Sequence, residues 1–337
     1  MRGARLAAAT VLLAGCVATA LAAVAPARIA STAALTGGIE ATPAPATSQP
    51  PAPPVGLAVL SLVDRSRTIR LRSGRVLPRT LLTYVRYPAL GALGQTDVLG
   101  APPALAGGPY PLVVFAPGFD VAPRVYAALL QSWASAGYVV AAPVFPRTSP
   151  GAPGGLDEED VVNQPADVSF LITSLLAAGA SATGPLAGLI NPGEIAVAGH
   201  SDGGETALAV AYARRLRDPR IDAAMVFSGA EISGVGGYSF AAAGAPPLLA
   251  AQGTADRFNE PRYTNAYFKH AQRPKYLLRL LGAGHLPPFS SEQPQLGIVE
   301  RVSVAFLDLY LKREPGALPS LLAGAAVSGT AALAAQP

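Results

Sequence analysis

The sequence predicts an α/β fold, in which a mostly parallel sheet carries helices on both faces. Residues 112–116 and 138–143 are continuous apolar runs, typical of strands buried on both faces, and a helical pattern over 124–136 separates them. This alternation of strands and helices continues to about residue 281. It favours parallel pairing, because a chain that connects two parallel strands must cross the sheet and usually does so as a helix.

The other elements follow from the same two patterns. An antiparallel pair opens the fold, and the predicted strands outside the first two runs are 68–71, 81–87, 195–198, 223–227, 247–251 and 276–281. The remaining predicted helices are 161–176, 205–216 and 261–271. Only about twenty residues lie between the strands at 223–227 and 247–251, so we expect no large helical cap domain there.

Composition bounds the organisation of the chain. The 337 residues are 50% hydrophobic and 14% charged, and the length between the two ends fits one large α/β domain, at 55–314. A proline- and alanine-rich linker at 28–54 precedes it, and an uncharged tail at 315–337, either frayed or a weak helix laid on the domain, follows it. The net charge is +4 and the basic residues are scattered, so we expect no nucleic-acid partner.

Residues 1–27 are predicted to be an export signal. Arg2 and Arg5 precede a long uncharged apolar stretch, and residues 25–27 offer a small-residue cleavage site. Three interpretations stay open: ordinary cleavage, retention as a membrane helix, or acylation of Cys16, which ends a lipobox-like sequence and would attach the protein to a membrane. All three place the domain outside the cytoplasm. Because Cys16 is the one cysteine of the chain, no internal disulfide can form.

A G-x-S-x-G pattern follows the apolar run at 195–198. Gly199, Ser201 and Gly203 stand between that predicted strand and the predicted helix at 205–216, which is the strand, turn and helix context of a nucleophile elbow. A serine on such a strained turn projects its hydroxyl out of the chain, and the two glycines allow neighbouring backbone to approach. The pattern predicts Ser201 as a nucleophile.

A serine nucleophile needs a histidine base, and the chain has three histidines. His200 is too close in sequence to turn back on Ser201, and His270 lies in a polar helical stretch that favours a solvated role. His285 follows the strand at 276–281 on a glycine-containing loop, so we expect it to be the base.

The third member is an acid that orients the histidine. Asp256 follows the strand at 247–251, so that Ser201, Asp256 and His285 all fall at the carboxyl ends of parallel strands and therefore on one sheet edge. Glu231 follows the preceding strand and is the alternative acid, because some hydrolases place it there. Position favours Asp256.

The chemistry also requires two donors for an oxyanion. The backbone N–H of Asp202 is one candidate, because it follows the nucleophile at a helix N-terminus. The loop after the strand at 112–116 supplies the other. Pro117 has no N–H, so we expect Phe119 to donate, with Gly118 allowing close approach.

These motifs together resemble a branch of the α/β-hydrolases that holds bacterial cutinase-like polyester hydrolases, chlorophyllases, dienelactone hydrolases and platelet-activating-factor acetylhydrolases. The segments that carry the resemblance, within about residues 60–312, are 114–119, 199–204, 252–256 and 282–285. Asp202 stands where the polyester hydrolases usually carry methionine, and their C-terminal disulfide is absent. Both departures count against a polyesterase.

The resemblance and the triad imply that 55–314 is the catalytic domain of a serine esterase acting through an acyl-enzyme intermediate. We expect an ester substrate, including lipid or polymeric esters, no metal or organic cofactor, and a monomer. A serine peptidase and a catalytically silent cell-envelope binding protein are the alternatives. The acidic run 157–160 is more simply a helix start that matches the helix dipole than a metal site.

Overall fold

A ten-stranded sheet runs through residues 52–337, the part of the chain that this computed structural model describes. Its strands are β1 (Val55–Arg70), β2 (Val76–Pro88), β3 (Val98–Leu99), β4 (Tyr110–Ala116), β5 (Val139–Val144), β6 (Ile190–His200), β7 (Ala223–Phe227), β8 (Leu248–Gly253), β9 (Lys275–Leu280) and β10 (Ala331–Gln336). Their order across the sheet is β10-β9-β8-β7-β6-β4-β5-β2-β1-β3. The export signal, Cys16 and the linker up to residue 51 lie outside the described residues.

Strands β4 to β9 are parallel to one another, whereas β2 runs antiparallel to β5 and to β1, and β10 antiparallel to β9. The short β3 pairs in parallel with β1. This confirms the predicted α/β fold with a mostly parallel sheet. Since parallel strands share a direction, the loops that follow β6, β8 and β9 emerge at one edge of the sheet.

Helices cover both faces of the sheet. They are α1 (Ala127–Ser135), α2 (Gln164–Ala180), α3 (Asp202–Tyr212), α4 (Pro261–His270), α5 (Gln295–Leu307) and α6 (Ala317–Gly324). Successive β4 side chains point to opposite faces: Leu112 and Val114 join the core under α2 and α3, while Val113 and Phe115 join the core under α1 and α5. Both cores are therefore anchored on one central strand.

Among the elements that differ from the sequence prediction are β1 and α5. Strand β1 begins at Val55, well before the predicted 68–71, because it lies near the sheet edge and alternates between buried and exposed positions instead of forming an apolar run. Helix α5 was not predicted, although its buried residues Leu296, Val299, Val302 and Phe306 recur every three or four positions. It packs against α1, where Trp133 Nε1 donates a hydrogen bond to Ser303 Oγ at 2.7 Å.

The fold extends past the boundary predicted at residue 314. The segment 315–337 contains both α6 and β10, and all six residues of β10 pair with β9. A helix was one of the two predicted alternatives, but neither of them included a strand. Backbone hydrogen bonds hold β10, and its mostly alanine side chains gave no pattern from which pairing could be inferred.

Two connections shape the surface around the site. The stretch 228–247 between β7 and β8 contains neither helix nor strand beyond one isolated bridge, so no cap domain is inserted at this point of the described chain. The acidic run 157–160 begins a 3₁₀ turn, Glu158–Asn163, that leads into α2, as predicted. Arg79 also holds it in a buried ion pair, donating to Asp160 at 2.7 and 2.9 Å and to Asp167 at 2.6 Å. Within residues 52–337 no cluster of three or more histidine, cysteine or acidic side chains is arranged to hold a metal.

One helical stretch of the described chain, Glu158–Ala180, is long and apolar enough to cross a membrane by length and composition alone. It includes α2, whose side chains Val168, Leu171, Ile172 and Leu175 are buried in the core against the sheet. Its apolar character is that of a core helix.

Candidate active site

Ser201 lies on a sharp turn between β6 and α3. Its backbone has φ +56° and ψ −125°, a combination that a residue with a side chain adopts only under constraint from its surroundings. A Cβ on Gly199 would overlap the carbonyl of Gly203, and a Cβ on Gly203 would overlap the carbonyl of Ala116. The glycines therefore let β4, β6 and α3 approach closely enough to form the predicted elbow.

The three predicted catalytic side chains meet at one edge of the sheet. The Oγ atom of Ser201 lies 2.9 Å from Nε2 of His285, and Nδ1 of His285 lies 2.7 Å from Oδ2 of Asp256. The carboxylate accepts from Nδ1–H, so the histidine presents an unprotonated Nε2 to the serine hydroxyl. This is the geometry in which a histidine can take the proton of a serine.

Asp256 is 3% exposed and is held by its own loop. Its Oδ1 accepts the amides of Phe258 at 2.9 Å and Asn259 at 3.1 Å, and Gln252 Nε2 donates to Oδ2 at 3.2 Å. Burial alone would raise the pKa of Asp256, but the hydrogen bond and charge of His285 and the amide of Phe258 lower it below its ordinary value. The carboxylate thus stays ionised opposite the imidazole.

The alternative acid and the exposed histidine do not take part in these hydrogen bonds. Glu231 is exposed on the stretch after β7 and makes no hydrogen bond to His285 in the described structure. His270 is exposed at the C-terminal end of α4, where a basic side chain complements the helix dipole.

The two predicted oxyanion donors flank the nucleophile. The amide of Phe119 donates to no acceptor within residues 52–337, and Asp202 opens α3, where the first amides have no intrahelical acceptor. The loop after β4 lies directly against the serine, since a Cβ built on Gly118 would be 3.2 Å from the Cβ of Ser201. Neither amide donates to another residue of the described chain, although the Asp202 amide also contacts its own carboxyl group.

Three carboxyl groups gather beside the elbow. Asp202 is 7% exposed, and its Oδ2 has no hydrogen-bond partner in the described chain. Burial and the charge of Glu158 raise the pKa of Asp202 to about 6. Burial, with the charges of Asp202 and Glu158, raises the pKa of Glu205 to about 8. Burial therefore favours the protonated form of Glu205 near neutral pH.

Sequence reasoning missed two features of the site. Phe258 is 80% exposed, and its ring centroid lies 5.3 Å from that of His285. His200, which the sequence suggested had no part beside Ser201, is fully buried and hydrogen-bonded on both ring nitrogens, to Tyr126 and to the carbonyl of His285. The position of Phe258, two residues after the predicted acid, could have indicated that it lies near the site. The hydrogen bond between His200 and Tyr126, 74 positions apart, could not be inferred from the sequence.

The sequence matches the family model described as chlorophyllase over residues 95–261, a span that includes Ser201 and Asp256 but ends before His285. A ferulic acid esterase from Streptomyces cinnamoneus is similar in structure, with a TM-score of 0.58, 24% identity, and coverage of 81% of this chain and 93% of that one. A search of the curated proteins found no match. At this identity, the structural likeness supports the fold.

Proposed function

Since the chain belongs to the α/β-hydrolase superfamily, in the branch that holds the chlorophyllases, and is a carboxylic ester hydrolase, we propose that it works through a Ser201–His285–Asp256 triad. The observation that carries the proposal is the unbroken line of two hydrogen bonds, 2.9 and 2.7 Å long, from the serine hydroxyl to the carboxylate. A serine held on a strained turn and hydrogen-bonded to a histidine in this way is typical of an activated nucleophile.

In the proposed reaction, His285 Nε2 removes the hydroxyl proton while Ser201 Oγ attacks the ester carbonyl carbon. The amides of Phe119 and Asp202 bind the oxyanion of the tetrahedral intermediate. Asp256 holds the imidazolium that forms, which then protonates the leaving alcohol. Water, deprotonated by His285, releases the acid from the acyl-enzyme and restores Ser201.

The substrate that we propose is an ester with a bulky apolar part. The stretch 228–247 adds no cap over the site, and the exposed ring of Phe258 stands beside His285. An aromatic ring in that position offers apolar area to a substrate at low entropic cost, because the ring has few rotamers to lose. Lipid-borne and polymeric esters fit such an open site as well as small ones.

The proposed location is outside the cytoplasm, after export directed by residues 1–27. Expression in a bacterial host, followed by cell fractionation and intact mass measurement, distinguishes cleavage near residue 27, acylation at Cys16 and an uncleaved chain. Recovery of unprocessed protein in the cytoplasm would contradict export.

A panel of p-nitrophenyl esters and peptide anilides, run on wild type and Ser201→Ala, tests the function. We expect ester hydrolysis by wild type alone, and fluorophosphonate labelling that Ser201→Ala abolishes. Faster cleavage of anilides than of esters would favour a serine peptidase. A folded wild type that is inert and unlabelled would favour a binding protein.

A further inference from the structure

His200 is buried in the middle of the site, yet the proposed reaction gives it no step. Its Nε2 lies 3.0 Å from the backbone carbonyl of His285, which can only accept a hydrogen bond, so Nε2 must carry the proton. Its Nδ1 is then unprotonated and accepts from the hydroxyl of Tyr126 at 2.9 Å. These two partners fix the tautomer of His200.

The same hydrogen bonds continue into the loop after β4 that carries Gly118 and Phe119, which we call the oxyanion loop. The amide of Gly118 donates to the Tyr126 oxygen at 3.3 Å, and Gly118 directly precedes the proposed donor Phe119. Buried links therefore run from the oxyanion loop through Tyr126 and His200 to the backbone of His285. They join two loops that follow different strands, β4 and β9. Both loops must be placed correctly relative to Ser201 for the reaction to proceed.

We propose that His200 is a positioning residue that holds the His285 loop and the oxyanion loop at a fixed separation around Ser201. The inference rests on the proposed function, and it assigns a role to the variable position before the nucleophile. A rigid link of this kind keeps reacting groups within the small tolerance that efficient transfer requires.

The role requires a His200 that never becomes charged. Burial, together with the charge of the neighbouring His285, lowers the pKa of His200 to about 3, while the hydrogen bond to the His285 carbonyl and the charge of Asp256 act in the opposite direction. The two imidazole centroids are 4.6 Å apart, so a second cation would oppose the imidazolium that His285 forms during turnover. Protonation would also remove the acceptor that Tyr126 needs. Burial raises the pKa of Tyr126, so its hydroxyl stays a donor.

The first test reads the tautomer without measuring activity. Nitrogen-15 NMR of the histidine side chains in the full chain should show His200 in the neutral Nε2–H form at every pH from 5 to 9. A His200 that is cationic, or protonated on Nδ1, anywhere in that range overturns the proposal even if ester hydrolysis is normal. Loss of ester hydrolysis in wild type would instead defeat the proposed function.

The second test removes single links. We expect Tyr126→Phe and His200→Ala to lower kcat roughly 10–100-fold with a small change in KM, and to shift the acidic limb of the kcat–pH profile. His200→Gln, whose amide can still donate to the carbonyl, should recover part of the loss. The matched control is Tyr212→Phe, in which another buried tyrosine loses one hydrogen bond, to the Pro246 carbonyl, outside these links.

A purely structural role predicts a different pattern. All these variants would then lower Tm by similar amounts and leave kcat and its pH profile unchanged in the protein that remains folded. That result, or an equal kcat loss in Tyr212→Phe, would overturn the positioning role.

Discussion

The Glu205 carboxyl beside the elbow should make the protein lose stability as the pH rises, and Glu205→Gln should remove that loss. Its pKa is about 8 in the folded chain against an ordinary 4.5, so folding favours the protonated form. The contribution to stability is fully present below pH 4.5 and is lost as the pH rises through about 8. Asp202 and Glu158 face it, and the phenol of Tyr238 is close enough to respond to it.

The interval between those two pKa values corresponds to roughly 5 kcal/mol of unfolding free energy if the full difference is realised. Because the side chain is partly exposed, water screens the carboxylate, and we expect about 2–3 kcal/mol. Urea denaturation at pH 5, 7 and 9 gives the free energy of unfolding of both proteins. Wild type and Glu205→Gln should differ least at pH 5, where the folded side chain is neutral in both, and the variant should be the more stable at pH 9.

Glu260→Gln is the matched control, since Glu260 is half exposed and pairs with Arg262 at the surface. It should follow wild type at all three pH values, apart from a few tenths of a kcal/mol. If Glu205→Gln lost stability with rising pH as steeply as wild type, the buried-acid argument would be wrong.

The remaining predictions concern the site. Asp256→Asn should reduce kcat by roughly 10³–10⁴-fold, whereas Glu231→Gln should change kcat little. Steady-state kinetics that showed the reverse would assign the role of the acid to Glu231. His285→Ala should reduce kcat on the order of 10⁴-fold or more with a normal circular dichroism spectrum, whereas His270→Ala, on an exposed helix end, should change little. Phe258→Ala should raise KM for long-chain or aromatic p-nitrophenyl esters several-fold and leave the acetate ester unchanged, and equal effects on all esters would refute apolar contact.

The elbow could be predicted because its constraints are local. Gly199, Ser201 and Gly203 are read within five positions, and the strand before them is a continuous apolar run. The choice of histidine was also open to elimination, since the chain has three. The choice of acid rested on chain order, and the structure then places Asp256, and not Glu231, against the imidazole.

Other parts depend on contacts that no local pattern carries. The partnership of His200 with Tyr126 is created by the packing of the segment before α1 under β6, and each residue alone resembles ordinary core. Strand β10 is held by main-chain pairing with β9, which cannot be inferred from its small side chains. Long-range backbone pairing and buried polar hydrogen bonds are therefore the features that could be found only in the structure.

Strand β10 also determines which side chains the sheet presents at its edge. Strand β10 forms this edge with mostly alanine side chains. Without it the edge would be β9, whose larger apolar side chains Tyr276, Leu277 and Leu278 make a stronger template for pairing with another chain. Loss of Leu321 and Ala331 would bare part of the apolar core beside it. Proteolytic trimming after residue 314, which removes no proposed catalytic group, should therefore turn this protein into an aggregating species before it changes the chemistry of the site.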